Sequence, residues 1–212
     1  MMLSVIIPVF RNSASLPALV EELEQLDRRL NQRLEVVFVV DGCPEKSYDV
    51  LRKHLPDAAF ASRLVLLSRN FGAFSAVRAG IEAATGSHFA VMAADGQDPP
   101  ELMLDFWRHL ESGECDVVLG KRVARADPLT TRISSAIFWS LYRRFVQQEA
   151  PRNGIDCFAF NSTVRDHLLA LEEHNSTLVG LLLWLGFRRH EVAYERRPRR
   201  HGKSAWLSLI HI

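Results

Sequence analysis

Short runs of consecutive apolar residues alternate along the chain with stretches whose apolar residues recur every three or four positions. Leu3–Val9, Leu34–Val40, Leu64–Leu67, His88–Ala93 and Asp116–Gly120 have the first pattern and predict strands. Leu16, Leu19, Val20, Leu23, Leu26 and Leu30 have the second and mark one face of a helix, with Ser15 as its cap. A short helix near Ser47–Leu55, an Ala-rich helix over Ala73–Ala84 and a helix from Pro99 fall between the later strands. Strands that are apolar at successive positions are buried on both faces. Their alternation with helices predicts an α/β fold: a mainly parallel sheet flanked by helices.

From about Leu129 the pattern is less regular. Thr130–Gln147 reads as a helix whose Phe138, Trp139, Tyr142 and Phe145 form a stripe suited to a core. Ile155–Phe160 and His190–Tyr194 read as strands and Thr163–Glu172 as a helix. No internal repeat or low-complexity segment interrupts the chain.

Composition narrows the classes. The chain has 212 residues, 48% hydrophobic and 24% charged, which excludes a disordered, collagen-like or disulfide-scaffold protein. The formal charge is +1, yet residues 188–203 carry seven Lys/Arg against two Glu, a local +5. Such a segment suits phosphates or an anionic membrane surface as well as a solvated strand and loop. Cys43, Cys115 and Cys157 have no metal-type spacing, and the eight histidines form no H-E-x-x-H cluster; a reducing compartment without structural zinc is expected. Met1–Phe10 lacks a basic signal-peptide start. The longest apolar stretch, Leu178–Phe187, is about half of the ~20 residues a membrane span needs.

In a parallel α/β sheet, ligands bind beyond the carboxyl ends of the strands. There the chain places Phe10-Arg11-Asn12, Asp41-Gly42, Ser68-Arg69-Asn70, Asp95-Gly96-Gln97 and Lys121-Arg122. Each alone is compatible with a turn, but together they indicate a site. Ala93-Ala94-Asp95-Gly96-Gln97-Asp98-Pro99-Pro100-Glu101 is the most informative segment. In an extended chain residues 93, 95 and 97 face the same side, so Asp95 and Gln97 offer two oxygens to one hard cation, Mg²⁺ or Mn²⁺. Asp98-Pro99-Pro100-Glu101 fits a helix N-cap, a proline at the first helical position and an acid three residues after the cap. Asp98 and Glu101 are accordingly assigned to capping.

Taken in order, these segments resemble the family-2 glycosyltransferases of GT-A fold, and within them the polyprenyl-phosphate sugar transferases, including the dolichyl-phosphate mannose synthases. Val5-Ile6-Ile7-Pro8-Val9-Phe10 resembles the opening strand and Val39-Val40-Asp41-Gly42-Cys43 the D-D-G-S turn. Ser68-Arg69-Asn70-Phe71-Gly72 resembles R-N-x-G, and Ala93–Glu101 resembles D-A-D-L-Q-D-P-P-E. Gly120-Lys121-Arg122 with Arg132 resembles the paired arginines after the fifth strand; Asp156 falls at G-D-F-R, and Arg199–Ser204 at R-x-x-G-x-S-K. The resemblance spans nearly the whole chain. It implies a nucleotide-sugar-binding part over residues 1–125 and an acceptor-side part over 126–212. It further implies metal-dependent, inverting transfer from a nucleotide-sugar donor to a polyprenyl phosphate at the inner face of the membrane.

Residue by residue, the resemblance implies donor contacts from Pro8, Phe10, Asp41, Arg69 and Asp95, and metal contacts from Asp95 and Gln97. It gives diphosphate or acceptor contacts to Arg122, Arg132, Arg199 and Ser204; guanidinium is always charged and binds oxygens bidentately. Asp156 and Asp95 are the catalytic candidates: Asp95 through the cation it would hold, while Asp156 orients a lipid phosphate, serves as general base for a hydroxyl acceptor, or is a plain turn residue. Val40, Ala93, Phe158 and Ala205 stand where the family has Asp, Asp, Arg and Lys. These departures keep two alternatives open: transfer to a glycan or lipid hydroxyl, and a non-catalytic nucleotide-sugar-binding or scaffold protein. No G-x-G-x-x-G or complete P-loop is present, and no nucleic-acid-binding motif accompanies the basic segment. Family members continue into membrane helices, so a longer parent chain is expected beyond Ile212.

Overall fold

The structure is a computed structural model that describes residues 1–122, 144, 155, 157–173 and 177–198. Seven strands form one sheet: β1 (Leu3–Val9), β2 (Leu34–Asp41), β3 (Ala61–Leu67), β4 (His88–Val91), β5 (Val117–Arg122), β6 (Phe158–Asn161) and β7 (Arg189–Tyr194). Their order is β3-β2-β1-β4-β6-β5-β7, with β6 antiparallel to both neighbours and every other pair parallel. The expected α/β fold is therefore present. The single reversal places the amino end of β6 at the same edge as the carboxyl ends of β4 and β5.

The sheet is buried on both faces. Leu3, Val5, Ile7 and Val9 of β1 and Val36, Phe38 and Val40 of β2 face α1 (Leu16–Arg29), α2 (Ser47–His54) and α4 (Pro100–Glu111). Ile6, Val37 and Val39 face the other way, onto α3 (Ala73–Ala83), α5 (Ser162–Ala170) and α6 (Leu178–Trp184). Alternation of side chains along each strand divides one apolar run between two cores. Phe38 is fully buried, and truncating such a side chain costs about 3–5 kcal/mol.

Several elements depart from expectation. β3 begins at Ala61 rather than Leu64, because its polar start pairs with β2 as an exposed edge strand in register with Glu35–Asp41. Leu178–Trp184, an apolar stretch for which the sequence pattern predicts no element, is a helix: the Thr177 hydroxyl accepts from the Gly180 amide at 3.0 Å, and Leu178, Leu181 and Leu182 enter the second core. Ser15 occupies the N-cap position of α1 without making a side-chain cap. Its hydroxyl instead lies 2.7 Å from the Ala94 carbonyl and 2.9 Å from that of Asn12, which ties the loop after β4 to the loop after β1. The predicted helix over 130–147 lies outside the described residues except at Arg144. Among the described residues, no helix is long and apolar enough to cross a membrane.

At the opposite edge of the sheet, the buried Glu35 accepts from Ser4 Oγ, Arg63 Nε, and the amide and hydroxyl of Thr85. Burial raises the pKa of its carboxyl, but these hydrogen bonds together hold it below the ordinary value. The stability it confers is complete above the ordinary carboxylate range and is lost as pH falls through the lowered folded value. Glu35→Ala is expected to lose about 3 kcal/mol at neutral pH, the gap to wild type narrowing in acid. Urea denaturation at pH 7 and at pH 3.5 checks both.

Candidate active site

The site is assembled at the carboxyl edge of the sheet, where β4 ends at Val91 and the chain turns before α4. The expected extended stretch is instead a tight loop. Gly96 takes a φ of +71°, and Asp95 Oδ1 accepts from the Gln97 amide at 3.1 Å. A single turn, not strand alternation, therefore brings Asp95 and Gln97 together.

Asp98 is not a helix cap. α4 starts one residue later than the sequence suggests, with Pro99 at its N-cap in an extended conformation, φ −71° and ψ 137°. This turns the Asp98 side chain inward, where it is fully buried. Its Oδ2 accepts from the Ala93 amide at 3.0 Å, while Oδ1 lies 3.5 Å from the Tyr194 hydroxyl and 3.8 Å from Arg196 Nε. Burial pushes the Asp98 carboxyl up, with the nearby Asp95 charge adding to this; the Ala93 amide and the guanidiniums of Arg196 and Arg122 oppose it. Glu101 sits in the first turn of α4 and pairs outward with Arg29 and Arg197, both at 3.3 Å or less.

Tyr194 at the end of β7 links the cluster. Its hydroxyl accepts from Cys157 Sγ at 3.1 Å and is hydrogen-bonded to Arg122, the last residue of β5. Burial drives the pKa values of the Tyr194 phenol and the Cys157 thiol strongly upward. Both stay protonated, so Cys157 is a packing and hydrogen-bonding group rather than a nucleophile. Beyond Tyr194 the chain crosses the loop after β4. Arg196 Nη2 lies 3.6 Å from Asp95 Oδ2. Arg197 exchanges two hydrogen bonds with Gln97, amide to Gln97 carbonyl at 2.9 Å and Gln97 Nε2 to Arg197 carbonyl at 3.1 Å. Arg197, Cys157, Asp98, Tyr194 and Arg196 are residues of this cluster that the sequence reading did not assign to the site. A signal for the last two existed: in an extended chain, residues 194 and 196 share a side.

The neighbouring stretch of the sheet edge is built on Asp41, which is 2% exposed at the end of β2. Its two carboxylate oxygens accept from the amides of Phe71 at 2.8 Å and Gly72 at 2.9 Å, clamping the turn before α3. The clamp needs glycine nearby. Gly42 has a φ of +53°, and a Cβ there would lie 2.2 Å from the Arg69 carbonyl carbon. Arg69 itself is exposed, stacked 4.1 Å from the centroid of Phe71. Asp41 and the loop after β4 stand two strand spacings apart across β1, roughly 10 Å. Pro8 is in β1 beyond Ile6, where pairing to β4 has stopped, so its missing amide costs nothing on that side. Phe10 follows β1, half-buried, with the Arg11 guanidinium 5.2 Å from its ring centroid. Phe158 packs into the second core at 3% exposure, so that position supplies no cation. Arg132, Asp156, Arg199 and Ser204 lie outside the described residues.

The donor set fits a hard divalent cation that is shared with a substrate. Asp95 is 6% exposed and offers a carboxylate, and Gln97, two residues on, offers an amide oxygen, its NH₂ donating to the Arg197 carbonyl. Among the described residues, no three His, Cys, Asp or Glu side chains form a metal-holding group. An ion here would therefore take most of its ligands from water and substrate phosphates, as Mg²⁺ commonly does.

The sheet, parallel but for one reversed strand, carries its polar groups at the carboxyl edge, where open α/β sheets bind ligands. Among solved structures, the chain superposes on glucosyl-3-phosphoglycerate synthase from Mycobacterium tuberculosis in complex with Mn²⁺, UDP and glucosyl-3-phosphoglycerate. The TM-score is 0.68 at 16% identity, covering 95% of this chain and 73% of that one. The fold is thus the GT-A glycosyltransferase fold. The family profile described as Glycosyl transferase family 2 matches residues 4–170, and the chain belongs to that family. It is 33% identical over 205 residues to the undecaprenyl-phosphate 4-deoxy-4-formamido-L-arabinose transferase of Pseudomonas savastanoi pv. phaseolicola, covering 96% of this chain and 60% of that protein. It is 29% identical over 205 residues to the uncharacterized glycosyltransferase YkcC of Bacillus subtilis, covering 96% and 62%. The chain therefore spans about three-fifths of the length of these curated relatives.

Proposed function

We propose that this chain is the catalytic part of a metal-dependent, inverting glycosyltransferase that moves a sugar from a nucleoside diphosphate sugar to a polyprenyl phosphate at the inner face of a membrane. The observation that carries it is the convergence of Asp95, Gln97, Asp98 and Arg122 at one sheet edge, across β1 from the Asp41 clamp. The likeness to an undecaprenyl-phosphate sugar transferase supports the acceptor class.

In this reading, residues 1–125 bind the donor. Asp41 holds the loops that receive the nucleoside, with Pro8, Phe10 and Arg69 lining it. Asp95 and Gln97 would hold Mg²⁺ or Mn²⁺. A divalent ion bound there stabilises the charge of the departing diphosphate by several kcal/mol. Arg122 adds a permanent positive charge toward the same phosphates, joined by Arg132, Arg199 and Ser204 from the acceptor part, 126–212. A lipid phosphate is already an anionic nucleophile, so Asp156 only has to orient it; a hydroxyl acceptor would need Asp156 as general base.

The test is calorimetric titration of UDP and GDP with and without Mn²⁺, followed by a donor screen against a short-chain polyprenyl phosphate. Binding of one nucleoside diphosphate at micromolar to millimolar Kd, strengthened by Mn²⁺, is expected. Absence of binding by either nucleotide in both conditions would overturn the proposal and favour a scaffold.

A further inference from the structure

Both side chains assigned above to the metal are engaged by two consecutive residues of another segment. Residues 196–197 lie over the loop after β4 as a strap. Its inner residue, Arg196, spans the two buried carboxylates, 3.6 Å from Asp95 and 3.8 Å from Asp98. Its outer residue, Arg197, holds the amide group of Gln97 on its own carbonyl and donates its backbone amide to the Gln97 carbonyl. The strap is fastened from outside: the Arg197 guanidinium bridges Glu22 of α1 and Glu101 of α4, each at 3.2 Å.

We propose that this strap competes with the divalent ion for Asp95 and Gln97, so that Arg196 and Arg197 set the metal affinity of the site and metal loading loosens the strap. The inference rests on the metal assignment made under the proposed function. Arg196 and a divalent ion are both cations drawing on the Asp95 carboxylate, and like charges on one carboxylate oppose each other. The Gln97 side chain can swing toward an ion only by relaxing its bond to the strap. Two sites that draw on the same groups are linked, and linkage is reciprocal. What weakens the strap tightens the metal, and what supplies metal frees the strap. Arg196 and Arg197 are thus positioning residues for the ion rather than ligands of it. Asp98, which is fully buried beside Arg196, keeps the displaced guanidinium close, so that the strap can close again.

The experiment uses the whole 212-residue chain and Mn²⁺ alone, without donor. Arg197→Ala removes the two outer ion pairs and touches neither buried carboxylate; it is expected to tighten Mn²⁺ binding about 3- to 10-fold, the scale of two partly exposed ion pairs. Arg196→Gln removes the charge beside Asp95 and is expected to tighten it about 10-fold or more. If Arg196→Gln fails to fold by circular dichroism, Arg197→Ala decides alone. In wild type, Mn²⁺ should speed hydrogen exchange at the Arg197 amide, whose acceptor is Gln97. Unchanged or weaker Mn²⁺ binding in Arg197→Ala, with Arg197 exchange slowed or unmoved by Mn²⁺, overturns the competition while leaving the metal site intact. If wild type binds no Mn²⁺ even with UDP or GDP present and neither variant does so, the metal assignment itself falls.

Discussion

Asp95→Ala is expected to lower metal-dependent sugar transfer by at least about 10³-fold, equivalent to roughly 4 kcal/mol of lost transition-state stabilisation. The argument is positional. Asp95 is the carboxylate of the loop after β4 that faces Arg196 and receives the Gln97 amide. In the proposed ion site its removal would take away the charged ligand, where the protein contributes few others. The fold should tolerate the change. The side chain closes one local turn and faces Arg196, whose second carboxylate, Asp98, remains, so the stability cost is about 1–2 kcal/mol. The pair of results is what discriminates: turnover measured across a Mn²⁺ titration, beside an unfolding curve for the same preparation. A fall of less than about tenfold at saturating metal, with stability preserved, would mean that Asp95 does not hold the ion.

The placement of Asp41 and of the turn at Arg69–Gly72 at the carboxyl edge of the sheet was legible in the sequence because its determinants are local. An apolar run ending in Asp41-Gly42, followed two elements later by Arg69-Asn70-Phe71-Gly72, puts both turns at the ends of neighbouring strands of a parallel sheet, although the sequence does not show the clamp between them. The contacts from Asp41 to the amides of Phe71 and Gly72 follow that order. The strand that opens the chain was readable for the same reason, whereas the stretch around Asp95, expected to be extended, is a tight turn at Gly96. What escaped depends on partners distant in sequence or on patterns without a period. The start of β3 is polar because it is an edge. The helix Leu178–Trp184 is apolar nearly throughout and shows no helical stripe. Arg196 belongs to a basic run that composition describes only as a charge, and its contacts to Asp95 and Asp98 exist only once β7 has placed Tyr194 beside Asp98. Asp98 is the instructive case. Asp-Pro-Pro-Glu allows two helix starts one residue apart, and only the earlier, with Asp98 as the cap, completes the capping pattern. The choice between them is made by the buried groups around Asp98, which no local rule sees.

That choice has a measurable consequence, because the two starts give Asp98 different energies. As a helix cap it would be worth about 1 kcal/mol and would be replaced adequately by Ser or Thr. As a fully buried carboxylate facing the Ala93 amide, the Tyr194 hydroxyl and the Arg196 guanidinium, its loss strands a donor and a cation. The expected cost of Asp98→Ala is then about 3–5 kcal/mol. Asp98→Ser should fail to recover it, since a shorter neutral hydroxyl cannot balance Arg196. Asp98→Asn should fall between the two, because its amide oxygen can still accept from Ala93 while the charge is gone. A double-mutant cycle with Arg196→Ala separates the terms: a coupling above about 1 kcal/mol is expected for groups in direct ionic contact. Rescue of stability by Asp98→Ser, or additivity within about 0.5 kcal/mol between Asp98→Ala and Arg196→Ala, would return Asp98 to the role of a cap. It would also leave the strap without its inner anchor.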